Sequence, residues 1–172
     1  PKKMFPRAKK IAKRGPMIVT IEQLTEYPGA LLGLDVGTKT IGVALSDPSQ
    51  SLATPLQTIK RTKFTRDAAA LFALMDSRDV AGLVIGLPRN MDGTEGPKVQ
   101  SVKTFASQLG RKREMPILLW DERLSTAAAE RSLVALDVSR ARRAAVIDSH
   151  AANFILQGAL DGLARVKKGL QR

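Results

Sequence analysis

The feature that most constrains the fold is a change in the spacing of apolar residues along the chain. Three apolar runs of strand length come first, separated only by short turns, at Leu31–Val36, Thr40–Leu45 and Thr54–Ile59. Runs spaced this closely predict an antiparallel meander that opens with a hairpin around Gly37-Thr38-Lys39. Beyond this meander, apolar spacing typical of helices alternates with apolar runs typical of strands, which indicates that helices connect the later strands of the same sheet.

The remaining elements give the predicted order βββαβαβαα. Continuous apolar runs predict two further strands, and residues recurring every three or four positions predict four helices. This order predicts an α/β fold, a mixed five-stranded sheet made of the antiparallel meander plus two parallel strands, with helices on both faces. The predicted strands are Val80–Leu87 and Met115–Trp120, and the predicted helices are Arg66–Ser77, one beginning at Pro97, Thr126–Leu136 after the N-cap Ser125, and Arg143–Val166.

Length and composition limit the class of protein. A chain of 172 residues with 44% hydrophobic residues has room for one domain with a real core. We expect a basic extension over residues 1–28, a domain over 29–166 and a basic tail over 167–172. No apolar run approaches the roughly 20 residues of a membrane span, and the start of the chain lacks a secretory signal pattern. The sequence therefore predicts a soluble, cytoplasmic protein without a membrane partner.

Charge points to a polyanionic partner. The chain carries 28 Lys plus Arg against 16 Asp plus Glu, a formal net charge of +12. Residues 1–16 hold seven of these basic side chains and no acid. Such clustering is typical of proteins that bind nucleic acid. Aromatic residues are only 4%, so a nucleic acid would be held by its phosphate backbone rather than by stacking on its bases.

Acidic residues occur where apolar ones are expected. Asp35 interrupts the first apolar run, and Asp121 and Glu122 directly follow the apolar strand that ends at Trp120. Asp148 lies on the apolar stripe of the last helix, on the same side as Ala152. A buried carboxylate must hold a proton, pair with a cation or incur a large desolvation cost. Since these acids come at the ends of successive elements, we expect them to meet in one cation site.

The residue types available restrict that cation and its chemistry. The chain has no cysteine and one histidine, so a metal site would use oxygen ligands, which favours Mg²⁺ or Mn²⁺. Carboxylate-bound metals beside a basic surface suit hydrolysis of phosphodiester bonds by direct attack of water. Lys39 and Arg123 flank the acids and are candidates for binding the phosphates of the substrate.

Four motifs resemble those of the YqgF family, whose members are described as Holliday-junction-resolvase-like proteins and as pre-16S rRNA nucleases. The first runs from Gly33 to Asp47 as GLDVGTKTIGVALSD, and the others follow in the family's order. Together they span about residues 30–163. The other three are GLPRNMDGTE from Gly86 to Glu95, DERLST from Asp121 to Thr126, and DSHAA from Asp148 to Ala152.

The resemblance implies a ribonuclease-H-like fold and trimming of the 5′ end of precursor 16S rRNA, in free RNA or in pre-ribosomal particles. It also implies a metal site at Asp35, the Asp121-Glu122 pair and Asp148. The strand ending at Leu87 carries no acid where many nucleases of this fold have one. Of the acidic pair that follows the next strand, Glu122 is the preferred catalytic residue because its longer side chain can reach back to the end of the sheet.

Three alternatives stay open from the sequence. The same fold could serve as a non-catalytic nucleic-acid-binding factor in ribosome assembly. The family's older name implies cleavage of branched DNA, as in a Holliday-junction resolvase. The segment from Asp35 to Thr38 also resembles the phosphate loop of sugar kinases and actin-like ATPases, but those enzymes close two related domains over ATP and this chain has room for one.

Overall fold

The central element of the structure is one mixed sheet. A computed structural model describes residues 18–124 and 140–171, with the backbone alone for residues 124 and 140–149. In this part of the chain the strands are β1 (Ile18–Val19), β2 (Ala30–Val36), β3 (Thr40–Ser46), β4 (Ala53–Lys60), β5 (Val80–Leu87) and β6 (Ile117–Asp121). They lie in the order β1-β6-β5-β2-β3-β4. The β2–β3 and β3–β4 pairs are antiparallel, and the β2–β5, β5–β6 and β6–β1 pairs are parallel.

Helices cover both faces of the sheet. They are α1 (Ile21–Leu24), α2 (Phe64–Ser77), α3 (Pro97–Lys112) and α4 (Arg140–Leu170). The apolar sides of α2 and α3 pack on the face that carries Leu32 and Leu34. α1 and α4 pack on the face that carries Leu31 and Val84. Because successive residues of a strand point to opposite faces, Gly33 and Asp35 lie on the α4 side of β2.

The structure confirms most elements expected from the sequence. The meander, its hairpin and the change to parallel pairing are present, and Val80–Leu87 is a strand with the predicted bounds. Predicted helix and strand ends elsewhere differ by a few residues, as fraying ends do. The predicted mixed α/β sheet with helices on both faces is therefore confirmed.

The predicted number of strands is wrong, because the sheet has six strands rather than five. The additional strand, β1, pairs with β6 through Ile18 and Val19 alone, and two residues give no periodic signal. It lies inside the segment predicted as an extension, and so does α1, whose Leu24 is fully buried. The folded part thus begins before the predicted boundary at residue 28, and α4 continues past residue 166 to Leu170.

Two predictions fall outside the described residues. These are the helix expected over Thr126–Leu136 and most of the basic extension, residues 1–17. Within the described part, no helix is long and apolar enough to cross a membrane.

Candidate active site

Asp35 lies at the end of β2 where the sheet opens to solvent. Its backbone pairs with Gly42 of β3, and its side chain is partly buried. Three fully buried leucines precede it on β2, so the strand is fixed on both faces before the acid emerges. β5 and β6 run parallel to β2, so their carboxyl ends lie at the same edge, where sites of open α/β sheets form.

Glu122 brings a second carboxyl to that edge. It follows β6 in a short 3₁₀ turn, Glu122–Leu124, and its side chain folds back over Gly86 of β5. A Cβ atom on Gly86 would lie 2.4 Å from Glu122 Oε1, a distance that real Cβ atoms do not adopt. Glycine at position 86 therefore provides the space in which the glutamate side chain rests.

The Asp35 and Glu122 carboxyl groups are hydrogen-bonded to each other. Burial is the largest effect on Glu122, and together with the negative charge and hydrogen bond of Asp35 it raises the pKa of this carboxyl to about 7. The ammonium group of Lys98 opposes this rise in pKa, and Asp121 adds to it. Two carboxyl groups in contact can share a proton or a cation, so this pair is suited to hold a positively charged ligand.

Asp121 faces a different partner. Its carboxylate accepts hydrogen bonds from Arg123 Nε at 2.9 Å and Nη2 at 2.6 Å, and from the Arg123 backbone N–H at 3.0 Å. The bonds from the Arg123 side chain are the main reason that the pKa of Asp121 lies below its usual value, and Arg89 lowers it further. The two adjacent acids therefore have different partners: Asp121 binds Arg123, and Glu122 contacts Asp35.

The two predicted phosphate-binding residues lie at the margins of the Asp35–Glu122 edge. Lys39 is exposed at the tip of the β2–β3 hairpin. Arg123 is bound to Asp121 and lies beneath the β5–α3 loop, with Nη1 3.3 Å from the position of a Cβ on Gly93. Neither side chain lines the cavity beside Asp35 and Glu122.

Asp148 belongs to α4, and its side chain lies outside the residues that the structure describes. The helix crosses β2 closely: a Cβ on Gly33 would lie 3.0 Å from the carbonyl oxygen of Ala152. In residues 18–124 and 140–171, excluding the backbone-only positions, no group of three His, Cys, Asp or Glu side chains could hold a metal ion. Of the predicted acids whose side chains the structure describes, Asp35 and Glu122 are in contact with each other, and Asp121 is bound to Arg123.

A cavity of about 440 Å³ opens beside the carboxyl pair. Sequence reasoning missed two basic side chains in its walls, Arg61 and Lys98. A signal for Arg61 was available, since it directly follows β4, whose end lies beside Thr40 at the same edge as Asp35. The full lining is Asp35, Val36, Gly37, Thr38, Arg61, Pro88, Pro97, Lys98, Ser101, Val102 and Glu122.

Relatives of the chain carry a consistent name. A protein of Bradyrhizobium sp. (strain BTAi1) is 58% identical over 158 residues, covering 91% of this chain and 98% of its own. One from Rhodopseudomonas palustris (strain BisA53) is 62% identical over 151 residues, covering 87% and 93%. Both are named "Putative pre-16S rRNA nuclease".

Solved structures show the same fold at low sequence identity. Thermus thermophilus RuvC in complex with a Holliday junction substrate matches with a TM-score of 0.52 and 14% identity, covering 79% of this chain and 96% of RuvC. The yeast mitochondrial Holliday junction resolvase Ydc2 matches with a TM-score of 0.50 and 15% identity, covering 86% of each chain. These matches confirm the expected ribonuclease-H-like fold.

The family expected from the four motifs is confirmed by a match along most of the fold. The family model RuvX, described as Holliday junction resolvase, matches residues 29–162, which include Asp35, Glu122 and Asp148. The chain therefore belongs to the RuvX family.

Proposed function

We propose that this chain is a divalent-metal-dependent nuclease that hydrolyses phosphodiester bonds of structured RNA. The observation that carries the proposal is the contact between the Asp35 and Glu122 carboxyl groups beside an open cavity. The names of the relatives and the net charge of +12 support a polyanionic RNA substrate. The substrate that we propose is precursor 16S rRNA, as in those names, with cleavage at its 5′ end, as the motif resemblance implies, and with the cytoplasm as the location of the activity.

The carboxyl pair fits a hard divalent cation, Mg²⁺ or Mn²⁺. A cation held by Asp35 and Glu122 would take the place of the proton and would offset the burial and the repulsion that raise the pKa of Glu122. When bound, such an ion activates water and neutralises charge on the phosphate that is attacked. Because Arg123 already binds the Asp121 carboxylate, the ligand set that we propose is Asp35, Glu122 and one further acid.

The direction of α4 supports Asp148 as that acid. The Ala53 backbone N–H donates to Gln157 Oε1 at 2.9 Å, at the end of the sheet opposite Asp35, so α4 runs antiparallel to β2. Position 148 is one helical turn, about 6 Å, before Ala152. Asp35 lies two strand residues, about 6.6 Å, beyond Gly33, which Ala152 contacts. Leu156 also packs on Gly33, so position 148 lies further along α4 toward the end of β2 that carries Asp35.

Other residues of the chain would bind and orient the substrate. The Glu122 carboxyl must release its proton to bind a cation, so cation binding should weaken as the pH falls below the raised pKa of about 7 that this carboxyl has without metal. The hairpin tip holds Lys39 in solvent, where it can contact a phosphate outside the cavity. Arg123 keeps Asp121 neutralised and offers its outer edge to the same backbone.

The experiment that tests the proposal is cleavage of a precursor 16S rRNA fragment by Asp35→Asn. We expect the rate to fall at least about 100-fold, because a metal ligand is removed while the shape of the side chain is kept. Asp79→Asn is the matched control: Asp79 is exposed before β5, and its φ of 51° suits asparagine. Cleavage by Asp35→Asn at the wild-type rate would contradict the role proposed for the carboxyl pair, whereas absence of cleavage by the wild type with Mg²⁺ or Mn²⁺ would favour a non-catalytic assembly factor.

The family description favours a second candidate, cleavage of branched DNA. A four-way DNA junction tested beside the precursor rRNA, at equal concentration and in the same metal, separates the two. We expect faster cleavage of the RNA. Cleavage of the junction alone would assign the same site to a resolvase.

A further inference from the structure

The cavity that the carboxyl pair lines also carries positive charge. Arg61 and Lys98 both line it, together with Ser101 of α3 and Thr38 of the hairpin. In a site that binds a cation at Asp35 and Glu122, these groups are not needed to neutralise the carboxylates. Positively charged and hydroxyl groups around one cavity suit an anion, and in a nucleic acid the anion is a phosphate.

Arg61 is held in one orientation by three contacts. Its Nη1 donates to the Gly37 carbonyl oxygen at 2.7 Å, its Nε lies 3.7 Å from Asp67 Oδ2, and its guanidinium lies 5.4 Å from the centre of the Phe105 ring. The Asp67 side chain is 3% exposed and that of Arg61 is 25% exposed. A charged group fixed by buried partners loses little conformational freedom on binding an anion, which is what preorganisation requires.

Asp67 is itself fixed from the other side. Its Oδ1 accepts from the backbone N–H of Thr62 at 3.0 Å and from the Thr62 hydroxyl at 3.3 Å. Through the contacts of Asp67 and Arg61, the start of α2 is linked to the segment after β4 and to the β2–β3 hairpin next to Asp35. Asp67 acts as a positioning residue for Arg61, since it holds the guanidinium at the cavity without lining the cavity itself.

Lys98 supplies the second charge from a different element. It lies in the first turn of α3 and is exposed, and its charge is close enough to lower the pKa of Glu122. The N-terminal end of the 16-residue helix α3 carries positive partial charge and adds to that of Lys98. Pro97, Val102 and Val36 give the same cavity an apolar side that suits a ribose.

We propose that Arg61 and Lys98 form a subsite for the backbone phosphate next to the one that is cleaved. The proposal rests on the nuclease function proposed above. It assigns to the cavity the role of fixing the register of the RNA strand relative to the carboxyl pair. The carboxyl pair and the basic pair lie in one cavity of about 440 Å³, which is large enough for a phosphate with its sugar. Binding of the neighbouring phosphate here would hold the scissile bond over Asp35 and Glu122.

The test is a binding titration with short RNAs in which one phosphate at a time is replaced by an uncharged methylphosphonate. EDTA is present, so that no cleavage occurs. For the wild type we expect one flanking position at which the neutral linkage weakens binding about tenfold, the effect of removing a charged hydrogen bond. Lys98→Gln should weaken binding of the unmodified RNA to a similar extent and should abolish the response to that neutral linkage.

Two further variants separate the subsite from folding and from general charge. Arg61→Lys keeps a cation beside buried Asp67, but it cannot contact Gly37, Asp67 and a phosphate together, so binding should fall about threefold or more. Arg66→Gln removes one exposed charge of α2 that does not line the cavity, and it should keep the full methylphosphonate response. Thermal unfolding of each variant verifies that the fold is intact.

The outcomes separate the subsite from the function. If every flanking methylphosphonate affects Lys98→Gln as much as the wild type, the subsite is refuted, whether or not RNA is cleaved. If the response is absent in Lys98→Gln, the subsite is supported. Failure of the wild type to cleave any RNA with Mg²⁺ or Mn²⁺ would then contradict only the nuclease proposal.

Discussion

At the scale of single residues, the site depends on two adjacent acids with different surroundings. Asp121 ends β6 and is neutralised by Arg123, whereas Glu122 turns back over Gly86 to meet Asp35. The pKa of Asp121 is accordingly lowered and that of Glu122 is raised. The geometry agrees with the expectation that the longer side chain reaches the end of the sheet, and its role as a metal ligand stays a prediction.

The raised pKa of Glu122 predicts how stability depends on pH without metal. The folded state holds this proton up to about pH 7, while the unfolded chain releases it near the ordinary value of 4.5, so the folded state binds more protons between these values. The free energy of unfolding should therefore fall as pH rises from about 4.5 to 7. Urea denaturation in EDTA measures this.

Glu122→Gln should remove most of that fall in stability, because glutamine cannot lose a proton. Glu114→Gln, a change at an exposed position, should keep the wild-type pH profile. Equal profiles for Glu122→Gln and the wild type would show that another group holds the proton.

At the scale of elements, the site is assembled from the ends of strands and the start of a helix. β2 and β6 deliver Asp35 and Glu122, the end of β4 delivers Arg61, and α3 delivers Lys98. Glycines at Gly33 and Gly86 let α4 and Glu122 approach the sheet. The close approach of these elements, rather than any single strong contact, sets the distance between the carboxyl groups.

Gly86→Ala tests that close approach. The added methyl group would lie 2.4 Å from Glu122 Oε1 and 2.5 Å from Ile155 Cδ1, so both side chains must move. We expect a decrease of about 1–3 kcal/mol in the free energy of unfolding, as for other overpacked sites, and a large decrease in cleavage. Gly169→Ala is the control, because a Cβ there meets nothing within 4 Å, and it should leave both quantities nearly unchanged.

Much of this arrangement could be predicted from the sequence. Apolar runs and helical spacing are local signals, so they predicted β2 to β6 and the helices around them. The convergence of Asp35 and Glu122 followed from acids placed at strand ends. β1 could not be found, because two residues show no period, and its pairing with β6 joins residues far apart in the chain.

The basic residues that line the cavity could not be predicted from the sequence, for a different physical reason. Arg61 and Lys98 are ordinary charged residues in sequence, and only the three-dimensional contacts of Arg61 with Gly37, Asp67 and Phe105 distinguish it from surface arginines. In the same way, the bonds of Arg123 to Asp121 could not be predicted from the sequence, and its role in binding phosphate stays a prediction. Charge type can be predicted from sequence, whereas the partner of a charge depends on the fold.

At the scale of the whole molecule, excess positive charge makes association with RNA dependent on salt. Seven of the 28 basic residues lie in residues 1–16, where there is no acidic residue. Each RNA phosphate neutralised by a basic side chain releases counterions, which steepens the plot of log affinity against log salt concentration.

Deleting residues 1–16 should therefore weaken RNA binding at low salt and make that plot less steep. For single-stranded RNA, the slope should change by about 0.7 for each phosphate that the shortened chain no longer neutralises. A chain with the seven basic residues changed to glutamine should behave like the deletion, because the charge and not the length matters. An unchanged slope in both would show that this segment binds no phosphate.

The most direct test of the central claim is a crystal structure of the protein soaked in Mn²⁺, with anomalous scattering used to locate the ion. We predict a manganese peak between the Asp35 and Glu122 carboxyl groups, at about 2.0–2.3 Å from their oxygens, with Asp121 still bound to Arg123. Millimolar Mn²⁺ that leaves this position without a peak, or that binds at Asp121 instead, would contradict the account.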